Sequence, residues 1–412
     1  MTDVADEIAD EFKTFPMSRA PGCPFDPSPT LARYRSHSDL PKVHCPADID
    51  AFVVSLFDQV RQVLGSPYTS SRAAASFHVL RDPEATKKKP FAGNPIQADG
   101  EEHHFLRKLL MPEFTVPRTR RLIPYIEGIV HHHIDAMLSA GSEADLVADF
   151  AVAIPSLIIC ELLGVEHDDR PLFVSWGGTL MDTRKTPAEV GEAGVQLMGY
   201  TTNLATAKIA NPGDDAVSRI YQRSVKAGRP LQPHELGHMA LVLLVAGTET
   251  TANMIALSTL LLITEQQATW HALRQDPAIA EAVVEELLRY LTVVQHGVLR
   301  YTTAQVDVGE GTIGPDEWVV GSLAAANRDP NVFANPDIFD ITRPDPQRHL
   351  AFGWGAHQCA GKQLARTELI SILQILPRRI PTLRPLIPLH ELPFKRDWMV
   401  YGLEDLGVSW DS

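Results

Sequence analysis

The stretch of sequence that decides the fold is residues 352–361, which read FGWGAHQCAG. Two glycines stand shortly before Cys359, and glycine tolerates the positive φ that a tight loop requires. A helix is predicted over about 360–376, so Cys359 lies at its N-terminus, where free N–H groups and the helix dipole stabilise a thiolate. Three glycines leave room for a planar ligand against the backbone: Gly353, Gly355 and Gly361.

A lone cysteine at the start of a helix has three interpretations. It is a buried structural residue, a nucleophile that requires a His base and an orienting acid, or the axial thiolate of a haem. Residue type and position alone favour the structural interpretation. The whole string reverses that preference, because 352–361 resembles the haem-binding loop F-G-x-G-x-H-x-C-x-G of the cytochrome P-450 family at every defined position. The resemblance extends over nearly the whole chain.

This resemblance implies a mainly α fold with a smaller β-rich part (α+β), with haem buried between an oxygen-binding helix and the helix that follows Cys359. Strand-like pieces with turn residues stand at 298–308 and 311–322. No Gly/Ser linker divides the chain, so we expect a single domain over 1–412 that begins with an extended, proline-rich segment at 1–30. The helical periodicity predicts helices over 103–113, 118–140, 144–163, 168–182, 187–210, 233–263 and 278–291.

Composition and charge exclude several classes of protein. The chain has 412 residues, of which 44% are hydrophobic and 21% charged, as in a globular protein. Its net charge of −14 argues against nucleic-acid binding. The acidic N-terminus does not resemble a signal peptide, and the four cysteines have no CxxC spacing, which together favour a reducing cytoplasm. The apolar stretch 239–263 carries a central Glu249, which indicates a buried core helix rather than a membrane anchor.

The centre of that apolar stretch, residues 246–251 with the sequence AGTETT, resembles the oxygen-binding helix of the family. Small side chains at Ala246 and Gly247 allow a helix to approach a flat cofactor closely. A threonine hydroxyl can hydrogen-bond to a helix carbonyl and bend the helix locally. The resemblance implies proton delivery during oxygen activation, with Thr250 as the donor-side hydroxyl and Glu249 as the relay acid. The alternative is a buried polar cluster that only bends the helix.

Haem carries two propionates, which require local cations in an acidic protein. The resemblance assigns this role to His103 and Arg107, four apart on a predicted helix, and to Arg300 and His349. The rest of the predicted cofactor site consists of Cys359 as the ligand of the haem iron, with Phe352, Gly353, Gly361, Ala246 and Gly247 around the ring.

Glu286 and Arg289 stand three residues apart, so they share a helix face and can pair. They resemble the E-x-x-R pair of the family, which locks the region beneath the haem together with a third partner, matched here by Arg343. The resemblance therefore implies that these residues serve stability and haem retention.

By analogy with the family, the substrate pocket is expected to include Leu243, Val293 and Val294. The segment 171–203 is a candidate lid. The pocket segments that the resemblance implies are 72–98, 171–203, 243–247, 293–298 and 395–399.

The resemblance implies a monooxygenase that inserts one atom of O2 into an apolar small molecule, by hydroxylation or epoxidation. The chain shows no GxGxxG-containing βα unit and no cysteine cluster, so NAD(P)H would act indirectly, through a separate ferredoxin and ferredoxin reductase. The candidates for a basic docking face are Arg118, Arg120, Arg121 and Lys362. The chain ends resemble actinomycete members of the family, many of which act on secondary metabolites or xenobiotics.

Three alternative functions remain open at this point: a peroxide-driven enzyme, a nitric-oxide-reducing enzyme, and a haem-thiolate sensor or carrier without turnover. The nitric-oxide-reducing branch lacks the usual acid, so Glu249 argues against it. A carrier requires no proton relay, so the pair Glu249 and Thr250 argues against that function as well. Turnover with peroxide alone would reveal the first alternative.

Overall fold

The computed structural model describes residues 17, 19, 23–36, 40–46, 48–74, 91–181, 185–396 and 398–411. In this part of the chain the fold is mainly helical with smaller sheets, which confirms the predicted α+β class. Most of the expected extended segment at 1–30, and residues 75–90 of the predicted pocket segment 72–98, lie outside the described residues. A helix already begins at Pro29, since proline suits the first turn of a helix.

The helices position the site and follow one another along the chain. They are α1 (Pro29–Ser36), α2 (Phe57–Gly65), α3 (Ser71–Ala74), α4 (Gly100–Leu110), α5 (Val116–Arg121), α6 (Ile123–Ala140), α7 (Ala153–Leu163), α8 (Arg170–Met181), α9 (Pro187–Ala210), α10 (Ala216–Lys226), α11 (Pro233–Thr264), α12 (Gln267–Gln275), α13 (Ala280–Leu291), α14 (Leu323–Ala326) and α15 (Lys362–Arg379).

The strands form three small sheets in the described residues. A five-stranded sheet has the order β1-β2-β8-β5-β3, in which β2 and β8 run parallel and the other neighbours antiparallel. A three-stranded sheet has the order β4-β10-β9, and β6 pairs with β7. The strands are β1 (Lys42–Cys45), β2 (Ile49–Val54), β3 (Thr69–Ser70), β4 (Glu143–Asp145), β5 (Val298–Thr302), β6 (Val306–Val308), β7 (Gly311–Ile313), β8 (Trp318–Gly321), β9 (Arg384–Pro385) and β10 (Gly407–Ser409).

The long helix α11 lies at the centre of the helical part. It packs against α7, α8 and α9 on the side of the predicted lid, and against α12, α13 and α15 elsewhere. By length and composition it could cross a membrane, but 61% of its most apolar window is buried inside the protein. A helix that is apolar on all sides requires neighbours on all sides, and here other helices supply them.

Some elements differ from the sequence prediction. The predicted helix over 118–140 is two helices, α5 and α6, which meet at Leu122 because Pro124 cannot donate a backbone hydrogen bond within a continuous helix. The predicted helix over 144–163 begins with the strand β4 and a π-helical turn at Val147–Ala151. Helices α10 and α12 were not predicted.

Candidate functional site

The loop that carries Cys359 is held by its own backbone and by α2. Gly353 and Gly355 adopt φ values of 68° and 75°, and the N–H of Cys359 donates to the carbonyl oxygen of Phe352 at 2.9 Å. A Cβ atom on Gly355 would lie 2.4 Å from the carbonyl oxygen of Leu64. Glycine is therefore required at 355 both by the backbone conformation and by the close approach of α2.

The thiol of Cys359 is accessible, whereas Cys45 and Cys160 are buried. It lies in a recess, and the surrounding protein atoms raise the pKa of the thiol. The backbone N–H of Gly361 forms a hydrogen bond that lowers the same pKa, and nearby positive charges act in the same direction. Cys359 thus has the surroundings of a metal-binding thiolate at a helix N-terminus.

Two arginines stand near this recess, of which Arg107 is half-buried and Arg300 is buried. Arg107 donates through NH2 to the carbonyl oxygen of Gln358 at 2.6 Å, directly beside Cys359. Arg300 lies on β5, and its one side-chain hydrogen bond within the described part of the chain goes to the carbonyl oxygen of Leu299 at 2.9 Å. Burial lowers the pKa of Arg300 to about 10. A buried guanidinium with further N–H groups to donate fits a carboxylate ligand.

Two histidine rings contact each other beside these arginines, with their planes tilted by 36°. The centroids of His103 and His357 lie 4.1 Å apart, and Nε2 of His357 lies 3.5 Å from Oδ1 of Asp99. Burial, followed by the charges of His357 and Arg107, lowers the pKa of His103 to about 4. His103 therefore carries little positive charge near pH 7 when no anion is beside it, and its binding to a propionate stays a prediction. His357 was missed as a site residue, although it is the histidine of the 352–361 motif.

His349 does not join this cluster. Its Nε2 lies 3.0 Å from Oε2 of Glu285, and its Nδ1 accepts the N–H of Ala351 at 3.1 Å. Arg366 donates to both oxygens of Glu285, at 2.5 and 2.9 Å, and lies 4.7 Å from the ring centroid of Phe352. Because both ring nitrogens are engaged in a buried network, the expectation that His349 binds a propionate is wrong. The network instead supports Phe352 and the loop.

The structure confirms the predicted pairing of Glu286, Arg289 and Arg343. Arg289 donates from Nε and NH2 to the two carboxylate oxygens of Glu286, at 2.8 and 2.7 Å. Nε of Arg343 lies 3.2 Å from both oxygens. The two guanidinium groups also donate to backbone carbonyls between 327 and 338, so the cluster ties α13 to the loop that leads towards the cysteine segment.

On α11, the hydroxyl of Thr250 donates to the carbonyl oxygen of Ala246 at 2.7 Å, which is the hydrogen bond predicted for a threonine at this place. Ala246 is exposed although most of the helix is buried, so this turn borders an accessible space. Gly247 faces α7 instead, since a Cβ atom on it would lie 2.8 Å from the side chain of Ile159. The small size of Gly247 therefore serves helix packing, and its contact with the cofactor stays a prediction.

Glu249 is buried, and one of its two carboxylate oxygens is held by protein side chains. Its Oε1 accepts hydrogen bonds from Nζ of Lys395 and from Nδ2 of Asn253, both at 2.8 Å. Lys395 was predicted only as part of a pocket segment, and Asn253 was not predicted as a site residue. A side-chain partner 146 positions away leaves no local signal in the sequence.

The residues predicted for the substrate pocket lie close to the C-terminal loop. The carbonyl oxygen of Val293 accepts the N–H of Tyr401 at 2.8 Å, and Val294 pairs with Val400 in an isolated bridge. Leu243 is buried on α11. These contacts place the 293–294 segment beside residues 400–401, and contact of these residues with substrate stays a prediction.

Among the predicted docking residues, Arg118 is already occupied. It lies 3.0 Å from the buried carboxylate of Glu113, which Arg219 and Arg223 also bind. This ion-pair cluster ties α10 to the turn after α4, so Arg118 is not a free surface cation. Arg120 and Arg121 are exposed on α5, which packs against α15, the helix that begins at Lys362.

Together these groups fit a haem. The accessible thiol of Cys359 suits the iron, and the half-buried Arg107 and the buried Arg300, with the two neighbouring histidines, suit two carboxylates. The exposed Ala246 offers a surface without a bulky side chain on α11. The thiol, the two arginines and the two histidines therefore match the iron and the two propionates of a haem.

Comparison with known proteins agrees with this site. The family model described as Cytochrome P450 matches residues 202–379. The chain is 39% identical over 401 residues to cytochrome P450-SU2 of Streptomyces griseolus, covering 96% of this chain and 97% of that protein. It is 36% identical over 400 residues to pentalenic acid synthase of Streptomyces avermitilis, covering 96% and 97%. The crystal structure of CYP105P1 in complex with filipin I matches with a TM-score of 0.88 and 37% identity, covering 97% and 99%.

Fold, site and relatives together define a haem-thiolate enzyme. The chain belongs to the cytochrome P450 family and is a monooxygenase with haem b as its cofactor. O2 and a small molecule are its substrates, and redox partners supply its electrons.

Proposed function

We propose that this enzyme hydroxylates or epoxidises an apolar small molecule, and that its electrons come from NAD(P)H through a separate ferredoxin and ferredoxin reductase. The observation that carries the proposal is the accessible thiol of Cys359 at the N-terminus of α15, beside half-buried cations. When bound, haem supplies the activation of O2, and its thiolate ligand favours O–O cleavage. The protein residues then position the substrate and the proton.

The side chains divide these tasks. Cys359 holds the iron, and Arg107, Arg300, His103 and His357 hold the propionates. Apolar residues at the predicted pocket, among them Leu243 and Val293, exclude water and bind the substrate by its apolar surface. Glu249 takes up protons and passes them towards Thr250, whose hydroxyl is held by the carbonyl of Ala246.

The chemical class of the substrate is supported by the relatives. Pentalenic acid synthase is named for its acid product, and CYP105P1 was crystallised with filipin I. Another matched protein, vitamin D3 dihydroxylase of Streptomyces griseolus, is also named after a small organic molecule. We infer that the substrate of this enzyme is a product of secondary metabolism or a xenobiotic with a large apolar part.

We also propose that the chain forms a single domain and that the protein is cytoplasmic. One hydrophobic cluster contains both Phe25 and Trp410, which supports a single domain. All four cysteines are free thiols, which supports a cytoplasmic location.

Carbon monoxide binding tests the thiolate assignment. The dithionite-reduced protein under carbon monoxide should show the far-shifted Soret band of a haem thiolate, and Cys359→Ser should lose it. Cys23→Ser, which changes a thiol whose partner is Asp26, should retain the band. A shifted band that survives Cys359→Ser would contradict the assignment.

Isotope labelling tests the reaction. Compounds are first screened for displacement of water from the ferric haem, and the best ligand is incubated with NADPH, ferredoxin, reductase and ¹⁸O2. The expected product carries one ¹⁸O atom. Product formed only with added peroxide would replace the ferredoxin-dependent function by the peroxide-driven alternative.

A further inference from the structure

The charge of Glu249 is balanced by Lys395, which lies 146 positions further along the chain. Lys395 is 6% exposed and Glu249 is 8% exposed, and the two form a buried ion pair with 2.8 Å between Nζ and Oε1. Asn253, one turn further along α11, donates Nδ2 to the same oxygen and to the backbone carbonyl of Glu249, each at 2.8 Å. A buried charge is stable only when it is paired and hydrogen-bonded, and these partners meet that condition.

The loop that carries Lys395 is shaped to reach α11. The N–H of Lys395 donates to the carbonyl oxygen of Gly402 at 2.9 Å, which closes the loop. A Cβ atom on Gly402 would lie 1.7 Å from Oδ1 of Asn253, so only glycine permits the loop to contact the helix there. Nζ of Lys395 also lies 4.3 Å from the ring centroid of Trp398, a cation–π contact that orients the ammonium group.

The opposite side of the loop is held as well. Nε2 of Gln295 lies within hydrogen-bonding distance of the carbonyl oxygens of Lys395, Arg396 and Trp398, at 3.3, 3.1 and 2.7 Å. Gln295 directly follows the predicted pocket residues Val293 and Val294. The same loop therefore contacts the relay acid on one side and the predicted pocket segment on the other.

We propose that Lys395 is a positioning residue for proton delivery, which keeps the carboxylate of Glu249 ionised and fixed on α11. The proposal rests on the proposed relay role of Glu249 and adds a second residue to it. A relay acid must be able to accept a proton in each cycle. Burial favours the neutral form of a carboxyl, which has no site to accept a proton, whereas a cation 2.8 Å away favours the ionised form.

An infrared experiment tests this proposal without turnover. The Glu249→Gln variant identifies the carboxyl band of Glu249 in difference spectra of the resting protein at neutral pH. We expect no protonated-carboxyl band from Glu249 in the wild type, a clear band in Lys395→Met, and none in Lys395→Arg, which retains the charge. Lys395 and Asn253 are the side chains that hydrogen-bond to this carboxylate in the described residues, and of the two only Lys395 carries a charge.

Turnover supplies the second measurement. Lys395→Met should lower the fraction of NADPH electrons that appear in product by about tenfold, and Lys395→Arg should restore most of that loss. The double variant Lys395→Met with Glu249→Gln should be no less coupled than Glu249→Gln alone, because Lys395 acts through Glu249. Additive losses would overturn the proposal.

The results distinguish a failure of the relay role of Glu249 from a failure of the positioning role of Lys395. Unchanged coupling in Glu249→Gln would overturn the relay and, with it, the role of Lys395. Uncoupling in Glu249→Gln, together with normal coupling and no new infrared band in Lys395→Met, would overturn the role of Lys395 alone. The carbon monoxide spectrum reports whether each variant binds haem in the native way, and Lys395→Gln replaces Lys395→Met if the latter does not fold.

Discussion

At the scale of single residues, the hydroxyl of Thr250 has the geometry of a proton-positioning group. It donates to the carbonyl oxygen of Ala246 at 2.7 Å, on the exposed turn of α11. In Thr250→Ala this hydroxyl is absent, so we expect NADPH consumption to continue while product per NADPH falls and peroxide release rises. Thr250→Ser retains the hydroxyl and should stay largely coupled. Equal coupling in Thr250→Ala and the wild type would contradict the assignment.

A second residue-scale prediction concerns Glu368 on α15. Its side chain is buried, and its Oε2 has no hydrogen-bond partner within the part of the chain that the structure describes. Burial raises the pKa of Glu368 from 4.5 to about 8. Between these values the folded protein holds a proton that the unfolded chain has lost. Stability should therefore fall as the pH rises through this window, by at most about 1.4 kcal/mol per pH unit.

Glu368→Gln removes this dependence, because an amide does not titrate. The free energy of unfolding of the variant minus that of the wild type should rise from about pH 5 to about pH 8, measured by urea unfolding. A difference that stays constant across this range would show that the carboxyl of Glu368 has an ordinary pKa in the folded protein.

At the scale of elements, Gly353 and Gly355 test the contact between α2 and the cysteine loop, because only one of the two glycines lies against α2. Both have positive φ, but a Cβ atom on Gly353 would meet nothing within 4 Å, whereas one on Gly355 would lie 2.4 Å from the carbonyl oxygen of Leu64. Because Gly353 is predicted to lie beside the haem ring, stability is compared in the haem-free protein, where Gly353→Ala should cost about 1–2 kcal/mol through its φ alone. Gly355→Ala should cost more and also lower the haem content, since the loop must move.

Haem per polypeptide and the denaturant midpoint of each variant measure this difference. If Gly353→Ala and Gly355→Ala lose the same stability and the same haem, the close approach of α2 does not determine the position of the loop.

At the scale of the whole molecule, the net charge of −14 makes a local basic surface conspicuous. Arg120 and Arg121 are exposed on α5, and Lys362 begins the neighbouring α15. Replacing Arg120 and Arg121 together by Glu should raise the ferredoxin concentration for half-maximal reduction by about tenfold at low salt. The effect should shrink as salt screens the charges.

Reduction by dithionite requires no docking and serves as the control. We expect it to be unchanged in the doubly substituted variant. A loss of ferredoxin-dependent reduction that does not depend on salt would indicate a structural defect instead of a docking surface.

Features with local causes could be predicted from the sequence. The helix over 187–210 was predicted at the bounds that the structure has for α9, because a long periodic run carries a strong signal. The cysteine loop and the pairing of Glu286 with Arg289 also follow from short-range spacing. Helix α10 was missed, since a short amphipathic run after a loop is a weak signal; the capping residue Asp215, which accepts the N–H of Ser218, is the clue that marks its start.

The sequence by itself determined the class of fold, and it predicted Cys359 as the iron ligand and Glu249 as the relay acid. Only the tertiary structure decided which groups meet: Lys395 with Glu249, and His349 with Glu285 instead of the cofactor. The physical reason is that spacing along the chain determines neighbours only within a helix turn or a strand. Partners from distant segments are selected by how helices and loops pack, so they become visible only in the folded protein.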